Sequence, residues 1–252
     1  MIVAAHQPHF LPWLGYFDKI LHSDVFVIVD HVQFERQNFQ NRNRIKTRNG
    51  VQWLVVPVLR GSRGDRIVDK QIDNKRDGRT TWGERIFRTL AHAYTKAPWF
   101  RAHRDFFEHA LTRPWTRLCD LDLAIIHYLL EQLEIHTPLV RSSALDGIQG
   151  ARSDMIVTLC GAVGADTYLS GSGGSREYLD VASFTRRHIQ VSWQSFEHPE
   201  YPQLAPPSGF APRLSAVDLL FNCGPEAAAI LRGGHHISIG GKAKHRVSQL
   251  TL

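Results

Sequence analysis

The chain has 252 residues, of which 43% are hydrophobic and 21% are charged. These proportions are average for a folded globular protein, and they exclude a disordered chain. No apolar run approaches the roughly 20 residues that cross a bilayer, so we expect no membrane span. The apolar start at Met1 has no basic leader, which argues against a signal peptide.

Three cysteines are spread widely along the sequence, at Cys119, Cys160 and Cys223. They form no CxxC pair, so neither a disulfide framework nor a zinc knuckle is indicated. The 14 histidines include no HExxH motif and no compact cluster with cysteine or aspartate, so we predict no metal site. Buried free thiols suit a reducing compartment, and we expect a cytoplasmic protein.

The formal net charge is +6, and the basic residues are concentrated between Arg36 and Arg48, with asparagine and glutamine among them. Such a balance favours an anionic partner, namely a nucleotide, a phosphorylated sugar, an acidic carrier protein or a nucleic acid. A solvated surface face is the plainer interpretation of the same basic residues.

The first thirty residues predict a β-α-β unit. Residues 2–5 and 25–29 are apolar, β-branched runs of strand length, and the second has the uninterrupted character of a strand covered on both faces. Residues 12–22 between them carry apolar side chains at helical spacing, with Pro12 suited to the first turn.

The remainder of the chain predicts a larger α/β protein built on a parallel-sheet core. We expect further strands at 51–59, 167–169 and 189–193, helices at 151–163 and 215–221, and a helical insertion at about 80–135. No internal repeat or long linker divides the chain. We therefore predict one domain over residues 1–252, with a mobile tail over residues 233–252.

The first candidate site residues follow the first predicted strand. Ligands of open α/β sheets bind beyond the carboxyl ends of the strands, and His6 and Gln7 lie at such an end. A histidine there can act as a general acid or base, although a histidine satisfied in the core is the alternative. Trp13 and Lys19, in the helix that follows, are candidates for substrate contacts, with core packing the plainer role for Trp13.

A second group follows the next strand. Asp30 ends that strand and, in a parallel sheet, would face the same cleft as His6 and orient its imidazole. The polar residues downstream are the candidate substrate and anion holders, and they are Gln33, Asn41, Arg42 and Lys46.

Weaker signals come from the second half of the chain. The Gly/Ser loop that begins at Ser170 and Gly171 follows a predicted strand and could hold a phosphate on its backbone N–H groups, or serve only as a connector. Tyr178 and His198 complete the predicted substrate-binding residues.

Several of these segments together resemble the WbqC-like protein family. They include His6-Gln7-Pro8, the run from Leu11 to Lys19, Asn41 to Lys46, Tyr178-Leu179-Asp180 and His198-Pro199-Glu200-Tyr201. The likeness extends over nearly the whole chain. It implies a bacterial biosynthetic context, because the family's name member is associated with O-antigen assembly and relatives with surface polysaccharides and specialised metabolites.

A second likeness is to the nucleotidyltransferase and pantothenate synthetase (HUP-like) fold. In that superfamily a first strand leads through a proline-containing loop and an HxGH turn into a helix. Here the segment from Trp13 to Tyr16 stands where HxGH is expected, so both histidines are absent. The likeness therefore bears on the fold, and not on the reaction.

These observations favour a transferase that forms an amide by acyl or aminoacyl transfer to an amine, on an amino sugar or a carrier-bound intermediate. His6 would be the base and Asp30 its orienter. The donor would be a coenzyme A or phosphopantetheine thioester, and ATP would be used if the protein were instead an ATP-dependent ligase or nucleotidyltransferase. If the protein is not an enzyme, the alternative functions are a non-catalytic scaffold and a nucleic-acid-binding protein.

Overall fold

The computed structural model describes residues 1–61, 64–171, 173, 179–204 and 209–233, together with the backbone of 235–238. Its strands are β1 (Ile2–His6), β2 (Val25–Ile28), β3 (Arg42–Thr47), β4 (Gly50–Val55), β5 (Leu139–Arg141), β6 (Thr167–Ser170), β7 (Gln190–Phe196) and β8 (His235–Ser238). Its helices are α1 (Leu14–Leu21), α2 (Trp82–Tyr94), α3 (Phe100–Thr112), α4 (Leu118–Gln132), α5 (Ser153–Val163), α6 (Val181–Thr185), α7 (Ala216–Cys223) and α8 (Ala227–Gly233). Short 3₁₀ helices lie at Ile67–Asp69, Ser142–Ala144 and Gly224–Glu226.

The main sheet has the strand order β5-β2-β1-β6-β7-β8. The first five strands in that order are parallel, and β8 is antiparallel to β7. The predicted α/β class and parallel core are therefore confirmed. The central strand is β1: the chain continues from it to β2 and β5 on one side, and returns later to add β6 and β7 on the other. The sheet consequently has a topological switch point between β1 and β6, outside which ligands of such folds bind.

Alternation along the central strands separates two apolar cores. Ala4, Phe26 and Ile28 enter the larger core, which includes buried residues of α1 to α4, α7 and α8. Val3 and Val27 enter the smaller core, formed with α5 and α6. Helices thus cover both faces, as the uninterrupted apolar run in β2 predicts, because successive side chains of a strand point to opposite faces.

The helical insertion is confirmed and corresponds to α2, α3 and α4. A capping box starts α2, in which the Thr81 hydroxyl accepts from the Glu84 N–H while the Glu84 carboxylate accepts from the Thr81 N–H. At Gly83 an added Cβ would lie 1.8 Å from the Leu111 carbonyl oxygen. This glycine therefore sets how closely α2 and α3 approach each other.

Two expectations about local structure need correction, and the basic strip acquires a structure that its sequence did not predict. Pro12 precedes α1 instead of lying in its first turn, since Trp13 is the N-cap. In the strip, Arg42–Thr47 forms β3, which pairs with β4 in a separate two-stranded antiparallel sheet. Residues 235–238 of the expected mobile tail form β8, and residues 239–252 lie outside the described part of the chain.

Candidate functional site

A cavity of about 660 Å³ opens beside the carboxyl ends of β1 and β6, at the switch point of the sheet. From β1, the following turn and α1, its lining includes His6, Gln7, His9, Trp13, Tyr16 and Lys19. The segment around β3 contributes Asn38, Phe39 and Arg44. The second half of the chain contributes Gly171, Gly173, Gln194, Phe196, His198 and Arg213.

The turn between β1 and α1 has a strained backbone that a distant side chain holds. Leu11 is fully buried and has φ 47°, in the left-handed region that a bulky residue rarely occupies. The side-chain amide of Asn43 in β3 donates to the carbonyl oxygens of Phe10 at 3.2 Å and Leu11 at 2.7 Å. These bonds fix the turn that carries the cavity residues from His6 to Trp13.

Two imidazoles and a phenol meet at the end of β1. The ring centroids of His6 and His9 are 4.5 Å apart, and each lies 5.3 Å from the ring of Tyr16. Burial, with the charge of Lys19 adding to it, lowers the pKa of His6 to about 4. Burial also lowers the pKa of His9 well below its usual value, with a further contribution from His6. Both imidazoles are therefore neutral near pH 7.

The tautomer of His6 follows from its hydrogen bond. Its Nδ1 lies 3.1 Å from the carbonyl oxygen of Gln7, which can only accept. Nδ1 therefore carries the hydrogen, and Nε2 is the unprotonated nitrogen that can accept one. Gln7 is itself held in place, since its Oε1 accepts from the side-chain amide of Gln40 at 2.8 Å.

Lys19 is an amine buried in the wall of the cavity, with 5% of its surface exposed. Its Nζ donates to the carbonyl oxygen of Ala5 at 2.9 Å and lies 5.8 Å from the ring centroid of Tyr168. Burial lowers the pKa of Lys19 to about 8. Near neutral pH the protonated form of this lysine still predominates, and a minor fraction is the neutral, basic amine.

Arg44 and Arg213 form the cationic side of the cavity. An Nη2 hydrogen of Arg44 is donated to the backbone carbonyl of Arg213 at 3.1 Å, which places the two residues together. Among the described lining residues there is no aspartate or glutamate, while Lys19 is a third cation. The cavity is therefore suited to an anionic ligand.

Several buried polar atoms of lining residues have no hydrogen-bond partner in the described structure. They are His9 Nδ1, the Tyr16 hydroxyl, Arg44 Nε and His198 Nε2. Buried polar groups of native proteins are nearly always satisfied, by protein, water or ligand. Four such atoms around one cavity are donors and acceptors that water or a ligand in the cavity could satisfy.

The structure brings six of the predicted residues together and separates others from them. His6, Gln7, Trp13, Lys19, Gly171 and His198 all line the cavity. Gln33 is exposed and forms an isolated antiparallel β-bridge with Arg66. Ser170 is buried at the end of β6, and Tyr178 lies outside the described residues.

The expected pairing of Asp30 with His6 is not formed. The carboxylate of Asp30 is fully buried and accepts from Arg141 Nε at 2.7 Å, from both hydroxyls of Ser142 and Ser143, and from the Ser143 N–H. All these donors belong to β5 and the residues after it, on the opposite side of β2 from His6. Asp30 therefore holds the edge of the sheet and does not orient the imidazole.

The predicted anion holders of the basic strip are engaged elsewhere. Asn41 donates to the Val56 carbonyl, Arg42 donates to the Gln37 carbonyl, and Lys46 donates to the Gly209 carbonyl and to Gln203. Arg44, between them on β3, is the member of the strip that reaches the cavity. Composition marked the strip as basic, but only the pairing of β3 with β4 decides where each side chain points.

Sequence reasoning left out His9, Arg44, Gln194 and Arg213 as site residues. His9 lies three residues after His6 in the same motif, and this proximity was a sequence signal for adding His9 to the candidate site. Gln194 in β7 donates to the Gly15 carbonyl at 2.8 Å and to Asp18 at 2.6 Å, so it fixes the start of α1 against the sheet. Arg213 follows a loop and carries no local pattern that marks it.

The fold and the lining residues define an α/β protein with a cavity at the switch point of a parallel sheet. The model of the WbqC-like protein family matches residues 7–230, and the chain belongs to that family. It is similar to the uncharacterized protein Rv1507c of Mycobacterium tuberculosis, with 34% identity over 233 residues that cover 91% of this chain and 97% of the relative.

The resemblance inferred from the sequence motifs is thus confirmed at the level of the family. No solved structure matches the chain, so the HUP-like likeness stays a prediction. Along the residues that the structure describes, no helix is long and apolar enough to cross a membrane.

Proposed function

We propose that this protein is a biosynthetic transferase that forms an amide by acyl or aminoacyl transfer to an amine on an anionic substrate. The proposal includes the pathway context of the resemblance, namely the assembly of a surface polysaccharide or a specialised metabolite. The observation that carries it is the unprotonated Nε2 of the neutral His6, in a cavity that also holds the buried amine of Lys19.

The electrostatics of the cavity favour an amine nucleophile. An amine attacks only as the neutral base, and burial in this cavity lowers the pKa of Lys19. The same desolvation would lower the pKa of an incoming ammonium group, and so increase the fraction that can attack.

His6 can then transfer the proton. As the nitrogen of the amine bonds to the acyl carbon of a thioester, its N–H becomes strongly acidic, so even a weakly basic imidazole can accept the proton. The C–N bond forms, the C–S bond breaks, and His6 returns the proton from Nε2 to the departing thiolate. The donor in this proposal is a coenzyme A or phosphopantetheine thioester.

The test is amine-dependent thiol release. The purified protein would be incubated with acyl- and aminoacyl-coenzyme A, and with nucleotide-linked amino sugars as acceptors, while free thiol and the mass of the amide are followed. We expect His6→Ala to reduce the rate about 10²- to 10⁴-fold, the range for loss of a general acid–base group. His136→Ala, at an exposed histidine far along the chain, is the matched control and should retain the rate.

Two results would contradict the proposal. His6→Ala with full activity would remove the imidazole from the chemistry. Product formation that requires ATP and Mg²⁺ and releases pyrophosphate would replace direct transfer by an ATP-dependent ligase, for which Gly171 and Gly173 would be the phosphate-binding backbone.

A further inference from the structure

Two arginines from distant parts of the chain converge on one side of the cavity. Arg44 lies in β3, and Arg213 lies just before α7, 169 residues later in the sequence. The hydrogen bond from Arg44 to the Arg213 backbone fixes this juxtaposition. Both arginines line the cavity, and no described lining residue is a carboxylate, so an anion bound there would be their counterion.

The donors on this side have capacity left for a ligand. Arg44 Nε is buried and has no partner in the described structure. Arg213 has φ 59°, a left-handed conformation that costs free energy for a residue with a side chain. Strain of this kind persists where the surrounding structure enforces it, and it is concentrated at ligand sites.

His198 adds a group of opposite hydrogen-bonding character. Its Nδ1 lies 2.9 Å from the Pro199 carbonyl, so Nδ1 carries the hydrogen and the buried Nε2 can only accept. Its pKa is lowered, by burial first and also by the charge of Arg213, so the ring is neutral. A ligand here needs an anion for the arginines and a hydroxyl or N–H for His198.

We propose that Arg44 and Arg213 bind the phosphate group of a phosphorylated polyol, whose adjacent hydroxyl donates to Nε2 of His198. The cavity of about 660 Å³ has room for a ligand well beyond one phosphate, and Trp13 and Phe196 supply an apolar wall for a sugar ring. This inference rests on the proposed function, because it assigns the phosphate to the substrate that carries the amine. The reacting amine would lie at the other side, near His6 and Lys19.

The test measures binding separately from turnover. Calorimetric titration would compare glucose 1-phosphate, inorganic phosphate and glucose as probes. We expect glucose 1-phosphate to bind and glucose not to bind. Arg44→Gln and Arg213→Gln should each weaken glucose 1-phosphate about 10- to 100-fold, the effect of losing a charge-assisted hydrogen bond.

Two further variants make the result specific. Arg48→Gln changes the net charge equally at an exposed arginine directly after β3, and should leave the affinity within about twofold. His198→Phe should weaken glucose 1-phosphate while leaving inorganic phosphate unchanged. An equal loss in the Arg44, Arg213 and Arg48 variants would show only a diffuse electrostatic effect and would overturn the proposal.

Failure of this inference differs from failure of the proposed function. Amide formation at the same kcat/KM on phosphorylated and unphosphorylated amines would overturn the phosphate subsite and leave acyl transfer standing. Phosphate binding that depends on Arg44 and Arg213, without amide formation from any thioester, would overturn acyl transfer and leave the phosphate subsite standing.

Discussion

Asn43 and Leu11 are 32 residues apart in sequence, and the amide of Asn43 donates to the Leu11 carbonyl at 2.7 Å. The bond connects β3, in the small antiparallel sheet, to the strained turn that begins the cavity wall. Asn43 also accepts from the Arg44 N–H through its side-chain oxygen, so one buried amide positions both the turn and a cationic residue of the site. The small sheet therefore both holds the backbone of the cavity wall and supplies Arg44 to its lining.

Replacing Asn43 with alanine tests this support. Asn43→Ala leaves the carbonyls of Phe10 and Leu11 without their buried donor, so we expect the free energy of unfolding to fall by about 1–3 kcal/mol. Urea denaturation monitored by circular dichroism measures it. Asn49→Ala, in the exposed turn between β3 and β4, is the control and should change stability by less than about 0.5 kcal/mol. Equal stability of the two variants would contradict a supporting role for Asn43.

The pKa values of His6 and His22 should be shifted from the ordinary value in opposite directions. Burial and Lys19 lower the pKa of His6 to about 4. For His22, burial also acts to lower the pKa, but hydrogen bonds to Asp18 and its charge outweigh it and raise the pKa above 6.5. Two-dimensional ¹⁵N–¹H NMR of the rings should therefore show His6 neutral, with Nδ1 protonated, from about pH 5.5 to 8, and a titration midpoint for His22 above that of an ordinary histidine. A midpoint near the ordinary value for His6, assigned with His6→Gln, would refute the buried environment.

The buried amine of Lys19 predicts a stability change at alkaline pH. Its pKa is about 8 in the folded protein and about 10.5 when unperturbed. Between these values the unfolded chain holds the proton that the folded protein has lost, so stability rises with pH. The free energy of unfolding of the protein, relative to Lys19→Met, should increase over this window by an amount on the order of 3 kcal/mol. Urea denaturation of both proteins between about pH 7.5 and 10 measures it, and parallel curves would contradict the prediction.

Asp30 predicts the opposite dependence, at acid pH. Burial opposes its ionisation, but hydrogen bonds from Arg141 and Ser143 prevail and hold the pKa of the carboxyl below its ordinary value. Its contribution to stability is thus fully present above the ordinary pKa and is lost as pH falls through the lower, folded value. Asp30→Asn should cost about 1–3 kcal/mol at neutral pH, with the difference shrinking below about pH 4. A deficit that persists unchanged at low pH would assign the effect to packing and not to charge.

Much of the fold followed from local patterns. The β-α-β unit, the three helices of the insertion, and the strands β6 and β7 all have periodicity that is strong over a short window. The edge strand β5 has only three residues, and β3 carries charges at every second position. Neither has the apolar signature of a strand, because β5 is short and the outer face of β3 does not enter a core.

The position of the candidate site follows better from the sequence than its set of residues does. The carboxyl end of β1 follows from strand prediction alone, and the cavity beside it is lined by His6, Gln7 and Lys19. Asp30 was misassigned because β2 has neighbours on both sides, and the order β5-β2-β1 turns its carboxylate towards Arg141. Strand order is a long-range property that no local pattern in one sequence specifies.

The switch point has a consequence for how the protein acquires its site. The two strands that flank the cavity, β1 and β6, are separated by 160 residues, and their pairing joins Ile2 to Thr167. During synthesis the first strand, its turn and α1 therefore emerge long before their partner exists. The cavity wall is incomplete in every intermediate that lacks this pairing, so ligand binding would report a long-range step of folding and not the early, local ones.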